Sequence, residues 1–166
     1  MSVLIAIPIL GFAVLLQSTV LSQIHFVLGS IDLIMLVLIA WAVNERVKTA
    51  WQWGVIGSLF AGLITAVPLL AVAASYFLAI GSAILLRRVF WQRPILAMLI
   101  SAALSTVIIH GITIITMMIL ETPVPIIESL NSITLPSILM NLLVAIPVYA
   151  IIGDLANWVY PQPIEI

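Results

Sequence analysis

The sequence contains no cysteine and very few charged residues. Five Lys or Arg and six Asp or Glu occur among its 166 residues, whereas 64% of the residues are hydrophobic. A soluble domain is about 25% charged, so most of this surface must face lipid rather than water. Because backbone groups in lipid must be satisfied within the chain, we predict an all-α integral membrane protein.

The same scarcity argues against several classes of site. Without cysteine there is no disulfide and no thiolate site, and a net charge of −1 does not indicate a basic surface that binds nucleic acid. Two histidines and six carboxylates are spread along the chain without recognisable metal-ligand spacing. The sequence has no Ser/His/Asp spacing, no paired intramembrane carboxylates, no HExxH and no glycine-rich phosphate loop. We therefore expect no enzymatic activity, no cofactor and no metal.

Charged residues and turn formers divide the chain into six apolar segments, which we predict to form a compact six-helix bundle. Crossing a bilayer takes about 20 helical residues. The second segment is short for a crossing, and the third and fourth, separated only by Pro68, are together too long for one helix and should form a hairpin. The predicted spans of this single membrane domain, residues 1–166, are roughly Val3–Gln23, Ile31–Asn44, Trp51–Val67, Leu69–Leu86, Pro94–Leu120 and Ile133–Trp158.

The positions of the basic residues predict the orientation. Arg46 and Lys48 follow the second segment, and Arg87, Arg88 and Arg93 follow the fourth. By the positive-inside rule both connections are cytoplasmic, and an even number of spans then places both termini in the cytoplasm. The first segment, MSVLIAIPIL, lacks the basic region of a secretory signal and is predicted to be a retained helix.

Small residues follow one face of the third and the fourth segments. Such faces let membrane helices approach closely. They either pack the hairpin inside the bundle, which is the simpler interpretation, or form a docking surface for another membrane protein. The small residues are Gly54, Gly57, Ser58, Ala61 and Gly62 in the third segment, and Ala71, Ser75, Ala79 and Ala83 in the fourth.

Polar side chains within the apolar segments must face protein or water. His110 is the most notable, because ionisable groups at membrane depth are functional suspects. A proton relay would need a buried acid at the same depth, and none is expected, so a neutral hydrogen-bonded histidine is the simpler interpretation. Pro147 should bend the last helix. The predicted buried polar residues are Gln17, Ser18, Thr19, Thr106, His110, Thr113 and Asn141.

The polar stretch LQSTVLSQIHFVLGSIDL, residues 16–33, joins the first two segments and is predicted to be an extracytoplasmic turn. Asp32 opens the second helix, where an acid suits the positive end of the helix dipole. Ser30 is a reasonable N-cap for that helix.

The order of several landmarks resembles that of the MreD family of bacterial rod shape-determining membrane proteins. The landmarks cover nearly the whole chain. MreD proteins tend to have an aspartate a few residues beyond the GxxxxGL of the third helix, where this chain has Thr65 and Ala66. The landmarks are LLQSTVL at 15–21, IDLIMLVLIAWAV at 31–43, GVIGSLFAGL at 54–63 followed by PLL, the pair Arg87–Arg88, and MNLLVAIPVYAII at 140–152.

The resemblance implies a non-catalytic scaffold of the cell-elongation complex in the bacterial cytoplasmic membrane. Its expected partner is MreC, with RodA, a class B penicillin-binding protein and MreB in the wider complex, and a homodimer is an open alternative. MreD-like proteins also look like the six-helix substrate-binding subunits of energy-coupling-factor transporters, which makes a vitamin-type binding subunit the main competing function. An ion channel or proton-coupled carrier has less support, since no buried acid is expected beside His110.

Overall fold

The computed structural model describes residues 2–19, 29–122 and 125–161, and its regular elements there are helices. The predicted end of the first span at Gln23, and His25 in the first turn, lie outside the described residues. The elements are α1 (Ser2–Thr19), α2 (Leu33–Val43), α3 (Ala50–Ile64), α4 (Leu69–Val89), α5 (Pro94–Ile119), α6 (Ile126–Ser129), a π-helical turn (Leu130–Thr134) and α7 (Leu135–Val159).

Four helical segments are long and apolar enough to cross a membrane: α1, α4, α5 and the continuous stretch Ile126–Val159. The protein is therefore an all-α, multi-pass membrane-type protein. The α2 and α3 helices are also apolar but have 11 and 15 residues, or about 16 Å and 22 Å at 1.5 Å per residue. Neither α2 nor α3 has by itself the length that the prediction of six spans requires.

The short α2 helix is the centre of the bundle. It packs against α1, α3, α4, α5 and α7, and every residue from Ile34 to Val43 is at most 6% exposed. A helix that is apolar on all sides must be surrounded by other apolar surfaces, which explains why the run IMLVLIAWAV has no polar face. The other helices show their large apolar side chains on the outside, as expected for a protein dissolved in lipid.

The small-residue faces of α3 and α4 lie inside this bundle. Gly54, Gly57, Ser58 and Ala61 are buried, as are Ser75, Ala79 and Ala83, while Gly62 and Ala71 are half-buried. A Cβ atom at Gly57 would lie 2.7 Å from Cδ1 of Leu38 on α2, and one at Gly54 would lie 2.5 Å from Cδ1 of Ile80 on α4. These faces therefore serve contacts between helices of the same chain.

We expect the change Gly57→Ala to destabilise the protein. Leu38 is fully buried and its Cγ, Cδ1 and Cδ2 atoms lie within 3.3 Å of the added methyl group, so the cost should be about 1–3 kcal/mol of overpacking. The control is Gly111→Ala, because a Cβ atom there meets nothing within 4 Å. This variant should be slightly more stable than the parent, since alanine favours the helix more than glycine does. Unfolding in mixed micelles measures both, and equal stability of the two variants would contradict the prediction.

Candidate functional site at the buried start of α2

The α2 helix begins between α1, α4 and α7, whose side chains bond to its first residues. The first four N–H groups of any helix lack an acceptor within the helix, and here side-chain oxygens act as the acceptors. Asp32 is the N-cap, and its Oδ1 accepts a 2.9 Å hydrogen bond from Met35 N–H. Gln17 reaches across from the end of α1, and its Oε1 accepts bonds from Leu33 N–H (2.9 Å) and Ile34 N–H (3.4 Å).

The α7 helix completes the network from the opposite side. Asn141 is buried, and its Oδ1 accepts a 2.9 Å bond from Asp32 N–H while its Nδ2 donates a 3.0 Å bond to Oγ1 of Thr106 on α5. The Ser137 hydroxyl accepts a 2.9 Å bond from Ser30 N–H. A Cβ at Gly29 would lie 2.6 Å from the backbone of Pro136, so only glycine allows the chain to pass this close to α7.

Tyr76 of α4 ties the carboxylate of Asp32 to a fourth helix. Its hydroxyl donates a 2.8 Å bond to Oδ2 of Asp32, so each carboxylate oxygen accepts one bond. The prediction that Ser30 caps α2 is wrong, because the Ser30 amide bonds to Ser137 and Asp32 is the cap. Asp32 combines the expected favourable charge at the helix start with a tertiary contact that its position alone could not indicate.

A cavity of about 410 Å³ opens beside this network. Its polar lining comes from four helices and the π-helical turn, and its remaining wall is aliphatic. His110 of α5 is half-buried there, and its Nδ1 lies 3.0 Å from Oγ1 of Thr134. The π-helical turn that holds Thr134 ends two residues before Pro136, which has no backbone N–H to donate to a helical hydrogen bond. The polar lining includes Gln17, Asp32, Tyr76, His110, Thr113 and Thr134.

Asp32 and His110 line the same cavity, a placement that sequence position does not indicate. Sequence position assigned Asp32 to a helix end, and Asp32 is the N-cap of α2. Side chains of α1, α4 and α7 bond to this helix end.

Two other predicted buried residues are exposed. Ser18 and Thr19 lie on the surface of α1, and each hydroxyl returns a hydrogen bond to the Leu15 carbonyl of its own helix. This local bond lets a hydroxyl face lipid without an orphaned donor, which is why their polarity did not require burial. Of the other predicted buried polar residues, Thr106 and Asn141 are buried, and Gln17, His110 and Thr113 are half-buried. The two prolines are exposed: Pro68 lies directly before α4, and Pro147 lies within α7.

Arg87 has a structural role at the other end of α2 that the sequence analysis missed. Its guanidinium group donates bonds of 2.8 Å and 2.9 Å to the carbonyls of Ala42 and Asn44, where the helix leaves its last carbonyls unpaired. A cation also suits the negative end of the helix dipole. The sequence signal, a basic residue after the fourth predicted segment, served for orientation and as a family landmark, but not as a contact with the end of α2.

We expect Arg87→Ala to lower the free energy of unfolding by about 1.5–3 kcal/mol, the range for hydrogen bonds to a charged group. Arg88 provides the matched control, since it is the next residue and is exposed, so Arg88→Ala should change stability by no more than about 0.5 kcal/mol. Thermal unfolding of both purified variants in one detergent tests the difference, and a loss of similar size in Arg88→Ala would overturn it.

Comparison with known proteins adds no relative to this description. No family model matches the chain, and neither a curated protein nor a solved structure is significantly similar to it.

Proposed function

We propose that this protein is an MreD-type scaffold of the bacterial cytoplasmic membrane that binds MreC. In this role it helps to couple peptidoglycan synthesis by RodA and a class B penicillin-binding protein to the MreB filament. The observation that carries the proposal is the meeting of three landmark segments at one point. Gln17, Asp32 and Asn141 belong to three stretches that carry the resemblance, and all three bind the start of α2.

The proposal includes a six-span topology with both termini in the cytoplasm and a bundle like that of energy-coupling-factor binding subunits. In this arrangement α2 and α3 cross the membrane together with the segments that flank them. Arg46 and Arg87 lie at the C-terminal end of α2 and the cavity lies at its N-terminal end. The positive-inside rule then places the cavity on the extracytoplasmic side.

The surface best suited to a single membrane helix of MreC is the outer side of α1. Only Ala6, Leu10 and Ala13 of α1 are buried, whereas large apolar side chains such as Phe12 and Leu15 are more than 60% exposed. The small-residue faces of α3 and α4 are already occupied within the chain, so a partner helix must pack against side chains of this outer kind.

Co-expression with MreC of the same organism tests the proposal. We expect MreC to co-purify with the full chain, and a photo-crosslinking residue at Phe12 to capture it. The same residue at Leu143, an exposed position on α7, is the matched control and should not capture MreC. If only the crosslinking residue at Leu143 captured MreC, the contact surface would lie on α7 rather than on α1. Failure of MreC to co-purify with folded protein would refute the scaffold function.

A second candidate function is favoured by the cavity itself. An enclosed space with an apolar wall and a few convergent polar groups is typical of small-molecule sites, as a binding subunit of an energy-coupling-factor transporter requires. Thermal stabilisation of the purified protein by one member of a vitamin panel would support this function over the scaffold. Co-purification with the ATPases of such a transporter would be the corresponding test of partners.

A further inference from the structure

We propose that the cavity at the start of α2 binds a small organic cation, an ammonium group on an apolar body, through the carboxylate of Asp32. The proposal stands apart from the scaffold function, since it concerns the interior of the bundle rather than its outer surface. It rests on the charges, the hydrogen-bonding groups and the shape of the cavity.

The charge of the cavity is unbalanced. Asp32 is the one carboxylate among the described residues that line the cavity. All five Lys and Arg residues lie in the described part of the chain, and none of them is part of the lining. The helix dipole and the bonds from Met35 and Tyr76 stabilise the carboxylate without cancelling its charge. A charge in a membrane interior is favourable only with a partner, and a bound cation would supply it.

Two groups that line the cavity, the carboxylate of Asp32 and the hydroxyl of Tyr76, can accept further hydrogen bonds, whereas the amide nitrogen of Gln17 is a donor. The carboxylate accepts bonds from Met35 N–H and the Tyr76 hydroxyl, out of roughly four that a carboxylate can accept. Tyr76 gives its hydroxyl proton to Asp32, so its oxygen remains an acceptor. His110 Nδ1 lies 3.0 Å from Oγ1 of Thr134, and the tautomer of the imidazole decides which of the two atoms donates. The acceptor oxygens of Asp32 and Tyr76 match an ammonium group, which has donors only.

Anions and phospholipid headgroups fit this cavity poorly. The amides at the start of α2, which could otherwise bind an anion, are bonded to Gln17, Asp32 and Asn141. A phospholipid headgroup would bring a phosphate, and none of the described residues that line the cavity is a Lys or Arg that could pair with it. Two carboxylate or imidazole ligands are also too few for a metal site, and the described residues contain no group of three or more such side chains.

The opposite wall suits an apolar body. Ile64, Ile109, Ile114 and Met117 line the cavity, and its volume of about 410 Å³ falls within the range of about 300–1,000 Å³ for small-molecule pockets. A ligand with one ammonium group and an aromatic or aliphatic body would therefore satisfy both walls.

Calorimetric titration of the purified full chain in detergent tests the proposal with three probes of equal size and different charge. These are 2-phenylethylammonium, 2-phenylethanol and phenylacetate. We expect the ammonium probe to bind at least tenfold more tightly than the alcohol, and phenylacetate to bind most weakly. Equal affinity of the ammonium and the alcohol, or tighter binding of phenylacetate, would overturn the proposal. Added phosphatidylethanolamine should not compete, and competition by it would identify a lipid rather than a free amine as the occupant.

Substitutions test whether the preference for the ammonium probe arises in the cavity. Asp32→Asn keeps an N-cap side chain but removes the charge, so the affinity for the ammonium probe should fall to within twofold of the affinity for the alcohol. Asp154→Asn, at an exposed acid of α7 outside the cavity lining, is the control and should bind as the parent does. If Asp32→Asn does not fold, Thr113→Phe decides the matter, because a phenyl group there enters the cavity. Full binding in folded Thr113→Phe would overturn the proposal, and loss of binding would support it.

Discussion

Replacing Asn141 with leucine should lower the free energy of unfolding by about 2–4 kcal/mol. The side chains are similar in size, but leucine leaves the Asp32 amide without its acceptor and the Thr106 hydroxyl without its donor. A buried donor or acceptor that loses its partner costs about 1–3 kcal/mol, and water cannot replace the amide because Asn141 is 1% exposed. Loss of the network should also loosen the contact between α2 and α7.

The control for this change is Asn157→Leu on the same helix. Asn157 is exposed, and its Oδ1 accepts a bond from Arg46, so its replacement should cost no more than about 0.5 kcal/mol. Unfolding of both variants in mixed micelles gives the two free energies, and hydrogen exchange of the α2 amides reports the loosened contact. A loss below about 1 kcal/mol in Asn141→Leu would mean that the network is not closed as described.

Replacing Asp32 with alanine should cost a similar amount, about 2–4 kcal/mol. The change removes the N-cap, which alone is worth about 0.5–2 kcal/mol. It also leaves the Tyr76 hydroxyl, in a residue that is 4% exposed, without an acceptor. Asp32→Asn should retain most of the stability, because an amide oxygen can still accept from Met35 or Tyr76.

The comparison of these two variants separates the structural role of Asp32 from its charge. Asp154→Ala is the matched control, since Asp154 is exposed on α7 and its loss should change stability by no more than about 0.5 kcal/mol. Thermal unfolding in detergent ranks the three variants by stability. If Asp32→Ala were as stable as the parent protein, neither the cap nor the bond to Tyr76 would contribute to the fold.

The sequence predicted the membrane-type helical fold because that inference depends only on composition. With 64% hydrophobic residues, the chain must bury its backbone polar groups in helices, and runs such as LIMLVLIAWAV must be surrounded. Polarity was a weaker guide to position. Gln17 and its neighbours Ser18 and Thr19 looked alike, but only Gln17 is long enough to reach another helix, while the two hydroxyls bond to their own.

The tertiary surroundings of Asp32 and His110 could not be predicted from the sequence. Asp32 was assigned to an outer turn, and His110 was taken to have no acid nearby. Both expectations followed from counting residues along one helix at a time. The start of a helix as short as α2 is positioned by the helices around it, so its depth depends on contacts with residues more than 100 positions away.

The sequence by itself determined that the protein is helical and suited to lipid, because its apolar runs are long enough for membrane helices, which pair their backbone groups within each segment. It also determined which residues are small, polar or charged on each helix. Only the tertiary structure decided that the small-residue faces are used inside the chain, that Asp32 is an interior cap, and that Asp32, Tyr76 and His110 share one cavity. The physical reason is that hydrogen bonds and close packing between distant segments depend on the final arrangement of the helices, which local periodicity does not encode.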